Sequence, residues 1–207
     1  GKAMAVCYIV GAGDCPPLDN IRINEGDTVI AADAGLRYLR AAGINPDSVI
    51  GDFDSLGSVP EGGKVTVLPA EKDVTDMYAA AEAGVAAGYT EFKFYGWSGG
   101  RLDHTLANIQ LCASLVERGY RADFVAEKQI LTALHCGEMR FDKSHKGYIS
   151  VFAFSDECLG VTLKGLKYTL DNATLSSRFP LGVSNEFTGT DSLVKVSQGT
   201  LIVVFDA

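Results

Sequence analysis

The sequence predicts two structural classes in one chain: an α/β domain over residues 1–127, then an all-β domain over residues 128–207. Three observations carry this. Apolar runs of strand length alternate with helical segments through the first half. Those runs are apolar on both faces, as strands of a parallel sheet covered on two sides must be. Past residue 128 the helical period stops, and short strand-like runs broken by Gly, Asp and Asn take over. The expected architecture is a three-layer α/β domain built on a parallel sheet, followed by a C-terminal antiparallel β-sandwich.

The strand candidates of the first half are MAVCYIV, TVIAAD, SVIGD, KVTVLP, EFKFYG and RADFVA. Helical segments lie between them. AGLRYLRAA stops at Gly43, TDMYAAAEAGVAA at Gly88 and DHTLANIQLCASLVER at Gly119, each glycine standing where a left-handed residue closes a helix. Leu102, Leu106, Ile109, Ala113 and Val116 recur at steps of four and three, predicting one buried stripe on the last helix. In the second half ILTALHCGEMRFD, GYISVFAFS, GVTLKGLKYTL, GVSNEFTG and SLVKVSQGTLIVVFDA read as strands.

Composition narrows the function classes. At 47% hydrophobic and 21% charged, the 207-residue chain can bury a core. A formal net charge of −8 argues against a duplex nucleic-acid binder, which needs a basic face, and favours metal ions and small cations as partners. No apolar run reaches the roughly 18 residues that span a bilayer. The opening GKAMAVCYIV has no cleavage-site pattern and is expected to be a first strand, with Gly1 to Ala3 as a possible remnant of expression; a soluble, cytoplasmic protein is expected. Five cysteines without a CxxC pair suggest buried thiols rather than a disulfide framework or a zinc site.

Acidic residues fall in one place on this map. Asp33 ends the second strand; Asp52 ends the third, with Asp54 just beyond. EKDVTD supplies Lys72, Asp73 and Asp76, and GWSGGRLDH supplies Gly99, Gly100, Arg101, Asp103 and His104. All follow the carboxyl ends of strands, the edge of an open parallel sheet where ligands bind. Each acid alone has a plainer reading: Asp33 and Asp103 as helix caps, and Asp73 with Asp76 as a dipole-favoured pair at a helix start. Asp52 and Asp54 are two where a turn needs one.

Together these carboxylates would repel unless a cation sat among them. Hard oxygen ligands without a Cys or His cluster indicate Mg²⁺, held by Asp52, Asp54 and Asp73 or Asp76. Mg²⁺ completes its shell with water and substrate phosphates, so the ligand should be a polyphosphate. The glycines of GWSGGRLDH allow backbone N–H groups to approach an anion at a helix start, and Arg101 offers a planar fork for its oxygens. Lys72 is a second cation. His104 shares a helix face with Asn108, and either holds the nucleotide or is structural. VGAGD after the first strand resembles a dinucleotide fingerprint, but Pro16 and Pro17 stand where its third glycine and helix should be.

AADAGLRYL, IGDFDSL, KDVTDMYAA, GGRLDHTLAN, GLKYTL and GVSNEF, in this order, resemble the thiamine pyrophosphokinase family from about Ala31 to Phe187. The resemblance implies an enzyme that transfers the pyrophosphoryl group of ATP to the hydroxyl of thiamine, giving thiamine diphosphate and AMP. It implies a homodimer, with thiamine between one subunit's catalytic domain and the other's sandwich. Asp52 and Asp54 match the family's metal pair; Asp33, Lys72, Asp73, Asp76, Arg101 and Asp103 match its nucleotide and metal site. Ser184 and Asn185 match the thiamine loop, and Tyr168 stands where some members carry tryptophan. Asp76 or Asp103 could orient or accept the thiamine proton. Two rivals remain on sequence grounds: a Mg²⁺-dependent transferase acting on another alcohol, and a non-catalytic thiamine or nucleotide sensor.

Overall fold

The computed structural model describes residues 5–51, 66–68 and 73–207. Asp52, Asp54 and Lys72 lie outside the described residues. All six strand candidates of the first half form, as β1 (Val6–Val10), β2 (Thr28–Ala32), β3 (Ser48–Ile50), β4 (Thr66–Leu68), β5 (Glu91–Tyr95) and β6 (Arg121–Val125). They pair in parallel in the order β6-β5-β1-β2-β3-β4. The chain steps outward from β1 to β4, then returns to lay β5 on the other side of β1. The order therefore reverses at β1, and the crevice beyond its carboxyl end is where such sheets take ligands.

Among the described residues three α-helices accompany these strands: α1 (Leu36–Ala41), α2 (Asp76–Ala86) and α3 (Leu102–Glu117). Gly43, Gly88 and Gly119, just past their ends, have φ of 71°, 93° and 92°. Small residues on α2 bring it close to the sheet. A Cβ on Gly84 would lie 2.7 Å from the Phe92 ring and 2.8 Å from Cys7 Sγ, so no larger residue fits there.

The stripe expected on α3 is displaced. Leu102 and Leu106 are 74% and 58% exposed, while Asn108, Leu111, Cys112 and Leu115 are buried. A spacing of four and three suits either of two adjacent apolar tracks. A buried asparagine held by hydrogen bonding, invisible to hydropathy, marks the one that faces inward. Strands β5 and β6 also depart from the all-apolar expectation. Lys93 and Asp123, paired in register, share a half-buried face between the buried Phe92, Phe94 and Phe124.

A second compact unit comprises Cys112–Gly119 and Lys128–Ala207. Its strands are β7 (Gln129–Phe141), β8 (Tyr148–Ala153), β9 (Glu157–Lys164), β10 (Leu170–Ser176), β11 (Gly182–Glu186) and β12 (Ser192–Asp206). All pair antiparallel. GVTLKGLKYTL is split between β9 and β10 by a turn at Gly165 (φ 72°). The long pair β7–β12 breaks register between Val196 and Thr200, opposite Cys136, whose φ is 44°. Before the break β12 pairs with β9, and after it with β8. One bulge thus lets a single strand serve two ladders around a core that includes Ile149, Val161, Val194 and Leu201. Among the described residues no helix is long and apolar enough to cross a membrane.

Candidate active site

The loops beyond β1 and β5 interlock. Gly11 N donates to Tyr95 O at 2.8 Å, Gly13 N to Gly96 O at 2.8 Å and Asp14 N to Ser98 O at 2.7 Å. This close pairing needs glycine: a Cβ on Gly13 would strike the Ser98 carbonyl, and one on Gly99 (φ 80°) the Asp14 carboxylate. Between these loops and the starts of α1, α2 and α3 opens a cavity of about 470 Å³. Asp33, Asp76, Gly99, Gly100, Arg101, His104 and Asn108 all line it, so seven sequence-predicted residues from three separate parts of the chain meet at the switch point.

Local structure explains how two of the acids arrive there. Asp33 takes a left-handed backbone (φ 54°) as β2 turns into a single 3-10 turn. That conformation costs a non-glycine residue about 1 kcal/mol, and such strain gathers at functional sites. Asp76 opens α2, but the helix is capped by Thr75, whose Oγ1 accepts from Tyr78 N at 3.1 Å. Capping therefore does not explain the Asp76 carboxylate. Gly51 (φ 140°) sits against both acids: a Cβ there would lie 3.0 Å from Asp33 Cα and 3.2 Å from Asp76 Oδ2.

Other predicted residues lie elsewhere. Asp73 is exposed and does not line the cavity. Asp103 is also outside the lining and pairs with Arg101, Nη2 to Oδ2 at 2.9 Å and Nε to Oδ1 at 3.2 Å, both side chains well exposed. The Arg101 hydrogen bond holds the Asp103 carboxyl below the usual carboxylate range.

Hydropathy and acid spacing did not select Asp14, Arg37, Tyr38 and Trp97, which also line the cavity. The Arg37 guanidinium lies 4.9 Å over the Tyr38 ring, and Tyr38 OH donates to Gly13 O at 2.6 Å. A signal for Asp14 existed in VGAGD. It is not a dinucleotide fingerprint, yet its glycines build one wall of the cavity.

The donor set suits a hard divalent cation. Asp33 and Asp76 both line the cavity, and Mg²⁺ needs only one or two carboxylates beside water and phosphate. Among the described residues no three His, Cys, Asp or Glu side chains cluster tightly enough to hold a metal by themselves.

In the second unit a separate cavity of about 300 Å³ is lined by Leu163, Tyr168, Leu170, Leu181, Val183 and Asn185, among others. Tyr168 is 60% exposed. Asn185 is buried, and its amide is committed to backbone: Oδ1 accepts from Tyr168 N and Glu186 N, both at 2.9 Å, and Nδ2 donates to Tyr168 O at 2.8 Å. The left-handed residue of GVSNEF is Ser184 (φ 58°), not Asn185. Ser184 is exposed, donates its N–H to Ser150 Oγ at 2.9 Å and does not line the cavity.

An interlocked glycine loop, a helix N-terminus, acids and an arginine meet at the reversal of a parallel sheet, the place where open α/β folds take their ligands. Comparison with known proteins specifies it further. Residues 21–123 match the model of the thiamin pyrophosphokinase catalytic domain, and residues 138–202 that of the thiamin pyrophosphokinase vitamin B1 binding domain. A thiamine pyrophosphokinase of Bacillus subtilis is 31% identical over 182 residues, covering 84% of this chain and 85% of that one. The crystal structure of Thiamine pyrophosphokinase from Bacillus subtilis aligns with a TM-score of 0.88 at 29% identity, covering 98% of this chain and 99% of that one. The thiamin pyrophosphokinase structure from Geobacillus thermodenitrificans aligns at 0.85 and 29%, covering 98% and 97%. The chain belongs to the thiamin pyrophosphokinase family.

Proposed function

We propose that this protein is a thiamine pyrophosphokinase, using ATP and Mg²⁺ to convert thiamine to thiamine diphosphate with release of AMP. The observation that carries the reading is the convergence of Asp33, Asp76 and Gly99 to Arg101 on one cavity, in a chain of this family. The thiamine hydroxyl oxygen forms a bond to the β-phosphorus of ATP, the bond to the α-phosphate oxygen breaks, and one proton is released. Such transfer depends on positioning and charge neutralisation more than on a strong base.

The α3 N-terminus, Gly99 and Gly100 cradle the phosphate chain, and the Arg101 guanidinium, held by Asp103 at its Nε–Nη2 edge, offsets its charge. Asp33 and Asp76 would hold Mg²⁺, joined on sequence grounds by Asp52 and Asp54, and the ion would supply positive charge to the polyphosphate there. Lys72 adds a cation on the same grounds. Asp76, rather than Asp103 with its arginine clamp, orients the thiamine hydroxyl.

Thiamine's ring system would sit against Tyr168 in the second cavity, whose walls are mainly apolar. There Asn185 acts by holding Tyr168 in place. A homodimer belongs to the same reading, supported by exposed Leu102 and Leu106 on α3 and by exposed Phe179, Leu181 and Val183 in the second unit. So do the cytoplasmic location, the three layers of the first unit and the sandwich form of the second. Phosphorus NMR of thiamine, ATP and Mg²⁺ with the protein decides the chemistry. Thiamine diphosphate and AMP are expected; ADP, or pyrophosphate released free, overturns the reading.

A further inference from the structure

Asn108 is polar, 4% exposed and part of the cavity wall. Its Nδ2 donates to Trp97 O at 2.7 Å. A carbonyl oxygen only accepts, so the NH₂ end must face Trp97 and Oδ1 must turn away. Trp97 is itself fixed, its Nε1 donating to Val125 O at 3.0 Å and its ring meeting Phe124 edge-on at 5.5 Å. The amide therefore cannot swing to suit another partner.

Asn108 Oδ1 has no hydrogen-bond partner among the described residues, and it is not sealed from solvent either; Ser192 Oγ is the buried side-chain atom left unsatisfied there. A mostly buried acceptor thus opens on the cavity. It is a poor phosphate contact, since phosphate oxygens are acceptors too and carry negative charge. It needs an N–H or O–H from the ligand. Its place agrees: six residues beyond Leu102, Asn108 lies roughly 9 Å along the axis from the helix N-terminus. The reacting phosphates and the thiamine hydroxyl belong at that terminus.

We propose that Asn108 Oδ1 reads a hydrogen-bond donor of the nucleoside, either the 6-amino group of adenine or a ribose hydroxyl, and so sets nucleotide specificity. This rests on the reading that the cavity holds ATP. A ligand lacking that donor would leave the oxygen desolvated and unpaired, a loss that sites built for hydrogen bonding penalise strongly.

The test compares ATP with inosine triphosphate, 2′-deoxy-ATP and 3′-deoxy-ATP on the full chain, by calorimetric Kd and by kcat/KM. One of the three should be weaker than ATP by about ten- to a hundred-fold in both, and which one identifies the donor. Asn108→Ala should bring ATP down to that level while leaving the Kd of inorganic tripolyphosphate unchanged; Asn108→Ser serves if the alanine variant does not fold. All three analogues binding within about three-fold of ATP overturns the proposal, as does equal weakening of ATP and tripolyphosphate in the variant. Selective binding of ATP without formation of thiamine diphosphate would sink the proposed reaction and leave this assignment standing.

Discussion

Replacing Asn185 with alanine separates two roles for that residue: touching thiamine, or building the wall that does. Its amide makes three hydrogen bonds to backbone in a site 3% exposed. At about 1 kcal/mol net each, and with Tyr168 left with unpaired backbone groups, the variant should lose about 3 kcal/mol. For a chain of this length that corresponds to a fall in thermal midpoint of roughly 6–12 °C. The loop carrying Tyr168 should loosen, so KM for thiamine rises while KM for ATP stays within about two-fold. Thermal unfolding and steady-state kinetics measure both effects. The decisive comparison is the double variant with Tyr168→Ala: if Asn185 works through Tyr168, the two losses in thiamine binding will not add. Fully additive losses, or an Asn185→Ala protein of unchanged stability that no longer binds thiamine, would refute the reasoning and make Asn185 a direct contact.

Three further outcomes follow from the geometry. Asp76→Asn should cut transfer by about a hundred-fold or more without lowering the thermal midpoint, because the rim loses a repelling charge; activity and melting curves check this. Thr75→Ala removes the α2 cap and should cost about 1 kcal/mol, read as a drop of roughly 2–4 °C in thermal midpoint. Burial, partly countered by Lys93 and Arg121, raises the Asp123 pKa. Its folded value then exceeds its unfolded one, so stability falls as pH rises between the two. Asp123→Asn should raise the melting temperature at pH 7, with the gain vanishing near pH 4 and below; an equal gain at both would contradict this assignment.

Much of this was legible in the sequence because it rests on local rules. The six parallel strands announced themselves as apolar runs, and the helices ended at the glycines that could close them. The rim acids could be placed because strand ends fix which edge of a sheet a loop occupies. What escaped depended on tertiary choice. Two apolar tracks on α3 were equivalent by period, and the buried Asn108–Trp97 bond that distinguishes them joins residues whose approach no spacing rule encodes. VGAGD was legible only as a failed fingerprint, since its role comes from pairing with the β5 loop. Thr75 caps α2, and the Asn185 amide is bonded to the backbone of Tyr168 and Glu186. A cap or strut is assigned by which hydrogen bonds close, and composition carries no trace of that.

The most direct measurement is a crystal structure with AMP, Mg²⁺ and a non-reactive thiamine analogue bound. The account predicts phosphate at the α3 N-terminus against Gly99, Gly100 and Arg101, with the Asp76 carboxylate in the metal's coordination shell. Phosphate bound away from that helix end, with Asp33 and Asp76 facing only solvent, would contradict it.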